Sequence, residues 1–280
     1  MSAGGATTPA GDRTDGAAGK PRHGLAPALA AAGLDWILPA WPAPPGVLAL
    51  SMTRARSAGG TAAAAPRDAA SPAIGADPLT DPLLLSLLPS PPVRLRQVHG
   101  RVVTVLERST LATAREAPPV ADAVVTRERG LVCAVRTADC LPVVLADGRG
   151  AVVGVAHAGW RGLAAGVLEA TVAAMEGLGA RRGDLVAWFG PAIGPAHFEV
   201  GADVLAAFTA DDAGAAGAFA PKAQGKWLAD LDALARRRLA AAGVAAVHGG
   251  GMCTYADPLR FYSYRRARDE GRMATLAWLA

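Results

Sequence analysis

Apolar residues along the chain fall into short runs, and their period changes near residue 160. "VLALSMTR" (47–54) follows the punctuating "WPAPPG" and predicts a first strand. From Val93 onward, "RLRQVH" (94–99), "RVVTVLE" (101–107), "LVCAVRT" (131–137), "PVVLAD" (142–147) and "AVVGVAH" (151–157) predict further strands. Gly148 and Gly150 turn the chain between the last two. Leu163, Val167, Ala170, Ala174 and Leu178 then repeat at helical spacing and predict an amphipathic helix over 160–178. "LVAWFG" (185–190) returns to strand. Helices are predicted over 199–210 and 227–243, the second capped by Gly243. "RFYSYRR" (260–266) and a strand "MATLAWL" (273–279) close the chain. Mixed elements without a strict βαβ repeat predict an α+β fold, and the length suits one large domain or two small ones. Residues 1–33 lack periodicity and read as a disordered tail, and 55–82 read as a long loop.

Composition narrows this picture. With 280 residues, 51% hydrophobic and 5% aromatic, the core has to be built from Ala, Val and Leu. The +4 net charge is carried by scattered arginines, since Lys20, Lys222 and Lys226 are the only lysines. Arg236 to Arg238 sit on a predicted helix, where a solvated face explains them. No basic stripe interleaved with aromatics points to nucleic acid. No apolar run reaches the ~20 residues of a membrane span. "GLAPALAAAGL", after Lys20, Arg22 and His23, imitates a signal peptide, but Pro27 and its Ala-rich run make a poor one. Three cysteines, an odd number, argue against a disulfide scaffold and for a reducing, cytoplasmic setting.

The chemistry gathers at strand ends. His99 and His157 end predicted strands, and Cys140 follows one in "TADC". A His₂Cys set is a catalytic zinc ligand group with an open fourth position. Imidazole and thiolate suit copper as well. Cys140 as a thiolate nucleophile, with His157 as base and Asp139 orienting it, uses the same residues. A buried thiol beside two strand-end histidines is the plain structural alternative, and spacing alone leaves all of these open. Arg54, Gln97, Arg161, Ser263, Tyr264, Arg265 and Arg266 are polar candidates around such a site. Arg161 opens a helix, where backbone N–H groups also favour anions. Cys133 reads as core, Cys253 as a neighbour of the site, and His197 as structural.

"RQVHG", "TADCLPVV", "AHAGWRGLAAGVLEATV", "FGPAIGP…FEVG" and "CTY…FYSYRR…GRMATLAWL" together resemble the bacterial YfiH-type laccase-domain family, from about Trp36 to the C-terminus. Its members are also described as purine nucleoside phosphorylases, peptidoglycan-editing factors and polyphenol oxidases. The resemblance implies a single domain over 34–280, an α/β/β/α layered sandwich with mixed sheets, and a zinc site at His99, Cys140 and His157. It implies phosphorolysis of adenosine, inosine and methylthioadenosine, with some adenosine deamination. Cys140, His157 and Asp139 become the catalytic candidates, and Arg54, Gln97, Arg161 and Arg265 the substrate-binding ones. The expected ligands are a nucleoside and phosphate, with no nucleic acid, membrane or obligate protein partner. A thiol hydrolase editing peptidoglycan precursors, a copper-dependent polyphenol oxidase and a non-catalytic binding protein are the alternatives. The resemblance breaks after Arg54, where 55–82 lack the family's Gly-Gly-Val-Ser turn and Asn-Leu-Gly segment.

Overall fold

The computed structural model describes Met1, residues 24–54 and residues 77–280. In chain order its strands are β1 (Val47–Ser51), β2 (Val103–Val105), β3 (Ala123–Thr126), β4 (Val132–Thr137), β5 (Leu141–Asp147), β6 (Val153–Ala158), β7 (Leu185–Phe189), β8 (Glu199–Val200), β9 (Phe219–Lys222), β10 (Lys226–Ala229), β11 (Ala246–Gly249) and β12 (Met273–Leu279). The α-helices are α1 (Leu25–Ala31), α2 (Pro82–Leu87), α3 (Leu111–Glu116), α4 (Trp160–Ala165), α5 (Val167–Gly177), α6 (Ala202–Thr209) and α7 (Leu231–Ala241).

Two sheets pack face to face. The larger runs β11-β7-β5-β6-β3-β2 and is mixed: β11 lies parallel to β7 and β2 to β3, while the central pairs are antiparallel. The smaller is antiparallel, β1-β12-β4. Side chains alternate across a strand, so β5 points Val144 and Ala146 at the smaller sheet and Val143 and Leu145 at the helices. Val135 and Ala277 meet the first pair from the smaller sheet. Leu163, Leu168, Val172, Leu234 and Leu239, from α4, α5 and α7, cover the second pair. On the outer face of the smaller sheet, Leu50, Leu276 and Trp278 pack under Leu25 and Leu29 of α1 and Leu84 of α2. The layers are therefore α/β/β/α. A short sheet, β8-β10-β9, sits beside α6.

Several elements differ from the sequence expectation, each for a local reason. Residues 24–33 are not a disordered tail: α1 buries Leu25 and Leu29. The rest of that expectation, at 2–23, lies outside the described residues. Segment 94–99 does not pair as a strand, because its amides bond elsewhere: Arg96 N to Pro119 O, and Val98 and His99 N to the Asp122 carboxylate. The helix over 160–178 breaks at Gly166, whose φ of 93° no other residue type adopts cheaply. The predicted helices 199–210 and 227–243 each begin with a strand, β8 and β10. Asp230 caps α7 by accepting from Ala233 N. Gly243, φ 81°, closes that helix as expected. Of the loop 55–82, residues 55–76 lie outside the description, while 82–87 form α2 with Asp81 as its cap. No helix among the described residues is long and apolar enough to cross a membrane.

Candidate metal centre

The β5–β6 hairpin sets the site. Its register pairs Pro142 with His157 and Leu141 with Ala158, so Cys140, just before β5, stands next to His157 near the end of β6. The turn into β5 brings Asp139 to φ 89°. His99 arrives from outside the hairpin, on a backbone at φ 60°. Non-glycine residues at positive φ are uncommon and have to be held there.

Asp122, just before β3, does the holding. Its side chain is closed to solvent and accepts from three successive amides, Val98 (3.2 Å), His99 (2.9 Å) and Gly100 (2.7 Å). The same carboxylate lies 2.8 Å from His157 Nδ1, and Asp122 O accepts from His157 N at 2.7 Å. One buried carboxylate thus fixes the His99 loop and the His157 ring together, and directs Nε2 of His157 away from itself. His99 Nε2 is 3.7 Å from Cys140 Sγ, and the donor atoms of His99, Cys140 and His157 all lie within 4.8 Å of one another. Two glycines permit this approach. A Cβ at Gly159 would lie 2.9 Å from both Cys140 Sγ and His99 Cδ2, and one at Gly162 would lie 2.7 Å from Gly100 O.

Burial opposes ionisation of Cys140, but the charge and hydrogen bonds of His157, then those of His99, outweigh it and bring the thiol down to about 6. Burial likewise opposes the His157 imidazolium, yet Cys140 and Asp122 raise it to about 9. Burial also raises Asp122, but His157 and the amides bring it below the ordinary carboxylate value. Near neutral pH the ligand-free pair is a thiolate beside an imidazolium. Two imidazoles and one thiolate, converging and pre-oriented by a carboxylate, suit a tetrahedral metal with one open position.

The triad opens into a cavity of about 720 Å³. Trp160, Ile193, Phe198 and Tyr264 supply its apolar wall. Five arginines line it, Arg136, Arg161, Arg265, Arg268 and Arg272, against one carboxylate, Asp139. Asp139 is itself engaged. Oδ1 accepts from the buried Thr254 hydroxyl (2.6 Å) and Oδ2 from Arg265 N (2.7 Å). The residue orienting His157 is therefore Asp122 rather than Asp139, whose carboxylate ties the 253–265 segment to the turn that carries Cys140.

The family model described as multi-copper polyphenol oxidoreductase laccase matches residues 83–280. The purine nucleoside phosphorylase of Xylella fastidiosa is 49% identical over 259 residues, which span 88% of this chain and 97% of that one. Escherichia coli purine nucleoside phosphorylase YfiH is 44% identical over 253 residues, 87% and 98% of the two chains. The crystal structure of a Neisseria meningitidis protein of the DUF152 family, 41% identical, superposes with a TM-score of 0.75 over 88% of this chain and 99% of that one. The chain belongs to the YfiH-type laccase-domain family.

Within this laccase-domain site, the structure brings His99, Cys140, His157, Asp139, Gln97, Arg161 and Arg265 to one cavity. Gln97 lines it, but its amide is used on β4, donating to Arg136 O and accepting from Arg136 N, both at 2.9 Å. Arg161 lies over the Trp160 ring, 4.4 Å from its centroid. Arg265 donates to Glu199 O at 2.9 Å. Arg54 stands apart: it pairs with Glu270 at 3.3 Å, stacks on Tyr262 and does not line the cavity. Arg266 staples its own segment, donating to Thr254 O, Tyr255 O and Phe261 O. Ser263 is buried and accepts from Arg266 N. Cys133 is core, and burial pushes its thiol up. Cys253 accepts from Gly194 N and lies 3.7 Å from His197 Nδ1, and it does not line the cavity. Asp122 and Thr254 were invisible to motif reading. Asp122 is a lone acid entering the apolar run "AVVT", and a buried acid there is the only hint it leaves.

Proposed function

We propose that this protein is a zinc-dependent purine nucleoside phosphorylase acting on adenosine, inosine and methylthioadenosine, with adenosine deamination as a side activity. The observation that carries this reading is the pre-oriented His99–Cys140–His157 set on the wall of an arginine-rich cavity. The names of the similar Xylella and Escherichia proteins agree with it. Phosphorolysis breaks the bond between C1′ and the purine nitrogen and joins a phosphate oxygen to C1′. The base leaves with its electron pair and takes a proton. Arg161 and Arg265, which line the cavity, would bind the phosphate, and Trp160, Phe198 and Tyr264 would pack against the base. His99, Cys140 and His157 would hold the metal, with Asp122 fixing the His157 tautomer. Bound zinc would supply a Lewis acid, and copper is the alternative ion for the same donors. We place the protein in the cytoplasm, where its thiols stay reduced, with small molecules and not nucleic acid or membranes as ligands.

The test is incubation of metal-quantified protein with inosine and phosphate, followed by mass spectrometry. Hypoxanthine and ribose 1-phosphate are expected. No release above a Cys140→Ala control would sink the reading.

A second reading has its own observation. Cys140, His157 and Asp122 also form a thiolate, imidazolium and carboxylate in hydrogen-bonding sequence, the order of a thiol hydrolase that could act on peptidoglycan precursors. The two separate on chelation: the phosphorylase loses turnover when its metal is removed, and the thiol hydrolase keeps it.

A further inference from the structure

A second hollow, of about 340 Å³, opens beside the metal cavity. Arg136, Arg268 and Arg272 line both and form their common wall, whereas the metal-binding triad lines only the larger. The carboxylates around the smaller hollow are Asp77, Asp269 and Glu270. Asp77 already serves Arg94 (3.1 Å) and Arg136 (3.4 Å), and Glu270 serves Arg54 (3.3 Å) and Arg266 (2.8 Å).

Asp269 is the one lining carboxylate left for the three arginines of the common wall, which therefore stays short of negative charge. Among the described residues Arg268 has no hydrogen-bonded partner, only the Tyr264 ring at 5.8 Å. Arg272 donates to Glu270 O and Gly271 O and lies 5.4 Å from the same ring. Arg136 is half-buried, and burial together with Arg94 and Arg272 works against its charge, with Asp77 alone working for it. A group of permanent cations that the protein itself leaves under-neutralised favours an anion from outside. Phosphorolysis of a neutral nucleoside calls for one phosphate beside the sugar, and Arg161 and Arg265 suffice for that. The common wall is a second set.

We propose that Arg136, Arg268 and Arg272 form a second anion subsite that receives a phosphoryl group carried by the ligand, so that the cavity prefers phosphorylated nucleosides to neutral ones. The nucleoside half of this ligand rests on the phosphorylase reading. The anion subsite is independent of it.

The test is calorimetric titration of metal-loaded protein with adenosine, adenosine 5′-monophosphate and pyrophosphate, in wild type, Arg268→Glu and Arg272→Gln. Metal content and melting temperature confirm that each variant is folded. A charge-assisted contact is worth roughly a tenfold change in affinity or more. The monophosphate is therefore expected to bind at least about tenfold more tightly than adenosine in wild type. That ratio is expected to collapse towards one in Arg268→Glu, with Arg272→Gln in between. Pyrophosphate binding is expected to weaken in parallel. If neither nucleoside binds but pyrophosphate does, and only with Arg268 intact, the subsite stands and the phosphorylase reading falls. If pyrophosphate depends on Arg268 but the monophosphate gains nothing over adenosine, the wall holds free phosphate and the proposal is overturned. Equal affinities with no dependence on either arginine overturn it as well.

Discussion

The Asp122 carboxylate and the His157 imidazole lie 2.8 Å apart, and neither side chain reaches solvent to any extent. The same carboxylate gathers three amides of the His99 loop. Two of the three candidate metal ligands thus depend on an acid outside the ligand set. Removing such an outer partner typically costs about 10–100-fold in metal affinity. Asp122→Asn is expected to lose that much, measured by competition with a chromophoric chelator. Asp122→Ala should in addition lower stability by about 3–5 kcal/mol, since it strips the buried partner of His157 and of the amides. Wild-type affinity in Asp122→Asn would refute the holding role.

Gly159→Ala offers a steric test of the same site. The new methyl would sit 2.9 Å from both Cys140 Sγ and His99 Cδ2, so one of the two ligands has to move. Overpacking of this kind costs about 1–3 kcal/mol, and metal affinity is expected to fall at least about tenfold with an unaltered circular dichroism spectrum. Metal content equal to wild type after dialysis would count against the geometry described.

Proton linkage follows from the two shifted groups. With Cys140 at about 6 and His157 at about 9, the metal-free pair holds two protons below pH 6, one between pH 6 and 9, and none above pH 9. Metal binding has to displace whatever protons are present. Apparent affinity should therefore climb about tenfold per pH unit from pH 7 to 8.5 and flatten above pH 9. The check is proton release during calorimetry in buffers of different ionisation enthalpy, with about one proton per metal at pH 7.5. Zero release at that pH would contradict the ion pair.

Chelation should expose the thiolate. At pH 7 Cys140 is expected to resist iodoacetamide in the metal-loaded protein and to react once a chelator is added. Cys133, buried in the core with its thiol pushed up, should stay unmodified throughout. Peptide mass spectrometry reads each site separately. Fast modification of Cys140 before chelation would favour the nucleophile reading.

Thr254→Val removes the hydroxyl that holds Asp139 Oδ1 while keeping the side-chain shape. A hydrogen bond to a carboxylate contributes about 1.5–3 kcal/mol. If the 253–265 segment needs that tie to place Arg265, KM for phosphate should rise about tenfold with a smaller change in kcat. Identical kinetics would show that Arg265 is positioned without it.

How far the sequence foretold this site depends on what kind of signal each residue leaves. β5, β6 and β12 were legible because runs such as "PVVLAD" and "MATLAWL" are buried on both faces and bounded by turns. Helices α4 and α5 merged in the reading because the apolar spacing continues through Gly166 and only its backbone angle breaks the helix. Trp227 and Leu228 fit the helical period of α7 although they pair with β8, and the Asp230 cap was the overlooked boundary. His99, Cys140 and His157 announced themselves by residue type, in a chain with five histidines and three cysteines. Asp122 and Thr254 are common residue types whose roles exist only once β3 and the 253–265 segment are folded against the hairpin. No local period carries that information. Arg54 failed to join the cavity for the converse reason: Glu270, more than two hundred positions away, captures it.

The β5–β6 ladder holds His157 opposite Pro142, two residues beyond Cys140, and Asp122 clamps His99 through the His99 amide, so the fold itself sets the three donors in place. Such a socket cannot wrap itself around a favoured ion. It would take whichever thiophilic or imidazole-loving cation reaches it first in adequate supply, with copper ahead of zinc in raw affinity. The ion found in a purified preparation would then be a record of exposure during growth and handling.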